Sequence, residues 1–191
     1  MRPLLPLAAA LAIAAATPAR AAEAPRDTTI DCTGLAESVS TDTDTTTEFH
    51  DNVVAVGNDL VLHCDYLKVI ASRIGDKTAT LGKYGKFKYL LATGHVKVVQ
   101  GDRVATCGRA EVFPGEERVV LTGSFPGISP AQPVVSIPSE GYTATGPRMI
   151  LYRGQRRAVI EGMPGQPAHI SLPPIKDLGF PAAKPAEKPA N

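Results

Sequence analysis

The stretch DLVLHCDYLKV, Asp59 to Val69, decides how the rest of the chain is read. Its apolar residues largely alternate with polar ones, the period-two pattern of a half-buried strand. His63, Cys64 and Asp65 also stand together in it, the residue types of a base, a nucleophile and an orienting acid. Adjacent residues in a strand point to opposite faces, however, so His63 does not reach the thiol of Cys64. A second stretch, DRVATCGRAEV from Asp102 to Val112, keeps the leading Asp, the central Cys and the final Val but flanks the Cys with Thr106 and Gly108. The frame recurs and the triad does not, so no catalytic residue is assigned.

The frame extends outward. GDRVATCGRAEVFPGEERVVLTG, Gly101 to Gly123, aligns without a gap on EGYTATGPRMILYRGQRRAVIEG, Glu140 to Gly162. Ala105 falls on Ala144, Arg109 on Arg148, Gly115 on Gly154, Arg118 on Arg157 and Val120 on Val159. Upstream, FHDNVVAVGNDL corresponds to ATGHVKVVQGDR, and IDCTGLAE, Ile30 to Glu37, starts a first copy. The unit recurs at Cys32, Cys64, Cys107 and Gly146, spaced by 32, 43 and 39 residues. Each unit reads as three strands and two turns, with PGEER and RGQRR as the tight turns. SFPGISPAQPVVSIPSEG has too many prolines for a central strand and reads as a loop. One such unit has no partner for its apolar face, whereas stacked units bury a continuous core between two open ends.

Composition agrees with short strands and turns. Trp is absent and aromatic residues make up 5% of the 191 residues, so a large helical core is not expected. The formal net charge of +1 gives no global field for nucleic acid. Locally, Tyr66 to Gln100 carries seven Lys and Arg against the single acid Asp76. That run fits phosphate-bearing partners or, more plainly, a solvated surface. Residues 1–21 have Arg2, a short Ala/Leu-rich run and Ala19-Arg20-Ala21, a secretory signal peptide with its cleavage site. The run is short for a retained membrane anchor. The expected organisation is signal peptide 1–21, a β-domain 28–163 and a Pro-rich, disordered tail 164–191.

The repeats carry a resemblance. Phe49, Asn52 to Ala55, Asp59 to Leu67, then ATGHVKVVQGD from Ala92 to Asp102, resemble the OstA/LptA-like domain family over Thr28 to Gly162. The three cysteines, the Pro-rich insertion and the Pro/Lys tail depart from that family's pattern. The resemblance implies an all-β, repetitive antiparallel β-jellyroll in the periplasm, with two facing sheets and open ends. It further implies binding of lipopolysaccharide or a related lipid by its acyl chains between the sheets. Partners would be other envelope transport proteins, or further copies, joined through edge strands. On this reading the inward, lipid-lining residues are Val54, Val56, Leu60, Leu62, Val96, Val98, Val120 and Ile150, and Lys68, Lys86, Lys88 and Lys97 form a phosphate-facing rim. A structural envelope module with edge-strand partners and no lipid is the other non-enzymatic reading.

All three cysteines share one repeat phase, so stacking can bring neighbours together. An oxidising compartment then permits Cys64–Cys107 or Cys32–Cys64, the other reading being small buried hydrophobes. His50, His63, His95 and His169 lack close ligand spacing, and no C-x-x-C or H-x-x-x-H is present, so neither metal nor cofactor is expected.

Overall fold

The computed structural model describes residues 28–57, 60–123 and 132–173. The expected signal peptide, Asp59, residues 124–131 of the Pro-rich stretch and residues 174–191 of the tail lie outside them. Among the described residues the chain forms twelve strands in one antiparallel, unclosed sheet. They are β1 (Thr29–Asp31), β2 (Ala36–Ser40), β3 (Asp44–Val56), β4 (Leu60–Ile74), β5 (Lys83–Gln100), β6 (Arg103–Phe113) and β7 (Arg118–Thr122). β8 (Val134–Ile137), β9 (Tyr142–Thr145), β10 (Arg148–Tyr152), β11 (Arg157–Glu161) and β12 (His169–Ser171) complete the set.

Pairing divides this sheet into two leaves. β1, the second half of β3, the first half of β4, the second half of β5 and the first half of β6 form one leaf, continued by β8, β9 and β12. β2 and the remaining halves of β3 to β6, continued by β7, β10 and β11, form the other. The four long strands cross from leaf to leaf. Their register shifts where they cross, between His50 and Val53, His63 and Tyr66, and Thr93 and Val96.

Each shift is a β-bulge with a local cause. Asp51 and Asn52 (φ 63° and 47°), and Gly94 and His95 (φ 74° and 46°), are consecutive left-handed pairs on the returning strands. Two residues there oppose one on the neighbour, which bends the strand and turns the sheet along one corner. Gly94 is needed twice over. Its φ favours glycine, and a Cβ there would lie 2.2 Å from Asp65 Oδ2 and 2.8 Å from Asp65 Cβ.

One core joins the inner faces of both leaves. Val53, Leu67, Ala92, Val96, Cys107, Leu121, Ala144 and Met149 are its most enclosed members. At the far turns the repeats stack on each other, Arg153 N donating to Glu117 O at 2.9 Å.

Two boundaries differ from expectation. Val134–Ile137, read as loop, is β8, paired with both β6 and β9. Pro133 precedes it and Pro138 follows it, so the prolines stand outside the ladder and remove no donor from it. The stretch from residue 164, read as tail, supplies β12 through Ser171, because β9 pairs β8 on one side and has its other edge open to His169–Ser171.

Candidate functional site

The two leaves make a wedge. Near the corner it is shut: Val53 and Val96 are 1% exposed and Cys107 is 0%. Away from the corner some inward side chains are half-buried, among them Leu60, Leu90, Val98, Ala105, Val119 and Leu151, whereas Thr45, Val69 and Ala71 stay buried. Ile170, in register with inward Ala144 on the edge strand β12, is 51% exposed. Along the first leaf the inner surface is therefore a slot with aliphatic walls, closed at the corner and more open toward Leu60, Val98 and Ala105. At the β2–β3 end the wall becomes polar. Buried Thr47 Oγ1 stands 2.6 Å from the Tyr84 hydroxyl and 3.1 Å from Ser38 Oγ, and buried Thr45 Oγ1 stands 3.0 Å from Ser40 Oγ.

Four of the eight residues expected inward are there. Leu60, Leu62, Val96 and Val98 belong to the core or pack against it. Val54 and Val56 do not: Val53 and Ala55 take the inner positions, and Val56 is 39% exposed. Val120 and Ile150 are in register with one another but outside the core cluster, while Val119, Leu121, Met149 and Leu151 face inward. Both are nonetheless buried, Val120 at 4% and Ile150 at 8% exposed. The reason is common to these misplacements. VVAV, VVL and MIL are apolar in both parities, so alternation does not choose a face; pairing across the bulges and turns does.

The lysine rim is displaced as well. Lys68 lies on the outer face and bonds Glu48 at 2.8 Å, which holds the Glu48 carboxyl below its usual range. Lys88 pairs with Asp44, and Lys97 stands in register with outward His63 and with Thr106. Lys86 is on the part of β5 that runs beyond β6.

The cysteines are free. Cys64 is on β4 and Cys107 on β6, with β5 between them, and β3 likewise separates β1, which precedes Cys32, from β4. Residues of one repeat phase are thus two strands apart, ~9–10 Å, beyond the ~7 Å that a disulfide spans. Neither Cys64–Cys107 nor Cys32–Cys64, expected from the shared phase, forms, because a returning strand lies between positions of equal phase. Burial pushes the thiols of Cys64 and Cys107 up to about 12. At pH 8 such a thiol is ionised about a thousandfold less than an ordinary one. Iodoacetamide is therefore expected to label Cys32 alone in the folded protein, and all three cysteines in denaturant. Rapid labelling of Cys64 in the folded state would contradict this burial. Because the folded pKa is raised, the stabilisation is complete below the unfolded value of 9.0 and is lost as pH climbs toward about 12.

His63 is exposed and Cys64 buried, on opposite faces. Asn52, Val53, Val54, His63, Cys64, Asp65 and His95 line a shallow depression of about 180 Å³ at the corner, where His95 Nδ1 and Asp65 Oδ2 are 2.8 Å apart. Among the described residues no three His, Cys, Asp or Glu side chains are grouped to hold a metal ion.

The corner bulges were not anticipated from the sequence although their signal was present. Asp51-Asn52 aligns with Gly94-His95 between the repeats, and these are residue types that tolerate the left-handed region.

These features define an open, two-leaf antiparallel β-jellyroll of the LptA-like type. Among solved structures the chain is similar to LptH of Pseudomonas aeruginosa, described as the LptA homologous periplasmic component of a conserved lipopolysaccharide transport device. The TM-score is 0.56 at 13% identity, over 78% of this chain and 96% of that one. No family model matches the chain, and no curated protein does.

Proposed function

We propose that the protein is a periplasmic, non-enzymatic lipid carrier of the lipopolysaccharide-transport type, exported by residues 1–21 and holding acyl chains in the slot. The observation that carries this is the gradient of burial along the inner face of the first leaf, from Val53, Val96 and Cys107 to half-buried Leu60, Val98 and Ala105. Aliphatic walls packed shut at the corner and left half-buried toward the mouth suit chains that enter from one side. Each methylene buried there is worth ~0.8 kcal/mol, so a few acyl chains suffice for tight binding. The LptH-like fold supports the class of ligand. Among the described residues β1 and β2 at one end, and β11 and β12 at the other, are terminal strands, which would offer backbone to further copies or envelope partners.

The test is photo-crosslinking in cells that make lipopolysaccharide. A photoreactive residue at Val98 or Leu60 is expected to label lipopolysaccharide, and one at Val54 or Lys97, on the outer face, is not. Label on protein alone from Val98 would replace the carrier by an edge-strand interaction module.

A further inference from the structure

β4 and β5 outrun their neighbours. β3 pairs with β4 only as far as Ser72, and β6 meets β5 only from Leu90. The hairpin between, residues 73–89, overhangs the leaf. Its tip is a built turn. Arg73 Nη2 donates to the carbonyl oxygens of Asp76, at 2.9 Å, and Ala79. The Asp76 carboxylate accepts from Thr78 N at 2.8 Å and Thr78 Oγ1 at 2.7 Å, which holds its pKa below the ordinary value. The single acid of the overhang is thereby occupied within the turn.

What the overhang presents outward is apolar and cationic. Ile74 and Leu81 are 52% and 76% exposed, Ile74 in register with Lys83, whereas Tyr84 and Phe87 lie on the slot side of the hairpin, Tyr84 meeting Thr47 at 2.6 Å and Phe87 in register with buried Ala71. Lys77, Lys83 and Lys86 are also exposed, and among the described residues no acid forms an ion pair with any of the three. Large side chains left in water on a pinned hairpin mark a contact surface. The lysines select its occupant. A second copy would bring the same cations against them, whereas an anionic bilayer offers phosphates at the headgroup level and an apolar layer just beneath.

We propose that this overhang docks the protein on an anionic phospholipid surface, with Leu81 and Ile74 entering the headgroup region and Lys77, Lys83 and Lys86 meeting the phosphates. The docking face, with Ile74 and Lys83, is opposite the face that borders the slot, with Tyr84 and Phe87, so it does not need a filled slot. Three cations and a few partly inserted side chains give reversible attachment, suited to a carrier that visits a membrane.

Flotation of the purified protein with vesicles free of lipopolysaccharide tests this. Equal parts of phosphatidylglycerol and phosphatidylcholine are compared with phosphatidylcholine alone. Partitioning onto the anionic vesicles should be roughly a hundredfold stronger at low salt, about fivefold for each lysine. Most of that difference should vanish near ~0.5 M NaCl. Leu81→Asp, and the triple variant K77Q/K83Q/K86Q, should each weaken anionic binding about tenfold or more. The thermal midpoints should stay unchanged, since these side chains are exposed. Absence of binding to anionic vesicles, equal binding to both kinds, or wild-type binding by both variants overturns the proposal. Crosslinking from Val98 reads the slot alone, so either reading can fail without the other.

Discussion

Leu67→Ala is expected to lower the unfolding free energy by about 2–5 kcal/mol. Leu67 is 1% exposed and is the first inward residue of β4 beyond the corner. Phe49 and Ala92 are its partners in register on either side, and it belongs to the core that both leaves share. Truncation removes packing where the wedge is tightest, and neighbours tied into two leaves have little freedom to collapse into the space. Urea unfolding at constant m-value measures the loss. Val56→Ala, on the exposed outer face of β3, is the control and should cost under ~1 kcal/mol. Equal costs at the two positions would mean that the inward face has been assigned wrongly.

Gly94→Val should be similarly damaging, on the order of 2–4 kcal/mol. Two effects combine at this site. A β-branched residue at φ 74° is strained, and its Cβ would collide with Asp65, whose carboxylate meets His95 Nδ1 at 2.8 Å. Gly101 separates them. It has φ 59°, but a Cβ added there would meet nothing within 4 Å, so Gly101→Val carries backbone strain alone. The excess at Gly94 measures the close approach that holds the corner. If both variants lose the same stability, the corner does not rest on that contact.

The same two sites show how far local reading reaches. That Leu67 lies in a strand follows from alternation between Leu62 and Val69, visible in any period-two count. That it lies in the same core as Cys64, three residues away, does not, because alternation alone would put residues 64 and 67 on opposite faces. The bulge opposite Asp65 reverses the parity of β4 at the corner. Asp51-Asn52 and Gly94-His95 hinted at a break. How a break re-aims the faces depends on the neighbouring strand, which lies up to tens of residues away in the chain.

Local chemistry by itself determined the repeat, the all-β class, the tight turns at PGEER and RGQRR, and the inward set of Leu60, Leu62, Val96 and Val98. Those follow from alternation and turn chemistry, which act over a few residues. Only the tertiary structure decided which of Val53 to Val56 and Val119 to Leu121 face the slot, because there both parities are apolar and strand pairing makes the choice. It alone separated Cys64 from Cys107, by placing a returning strand between positions of equal phase. It also turned a basic run that looked like a rim into outward ion pairs and one overhanging hairpin, since the reach of β4 and β5 past their neighbours is a property of the whole sheet.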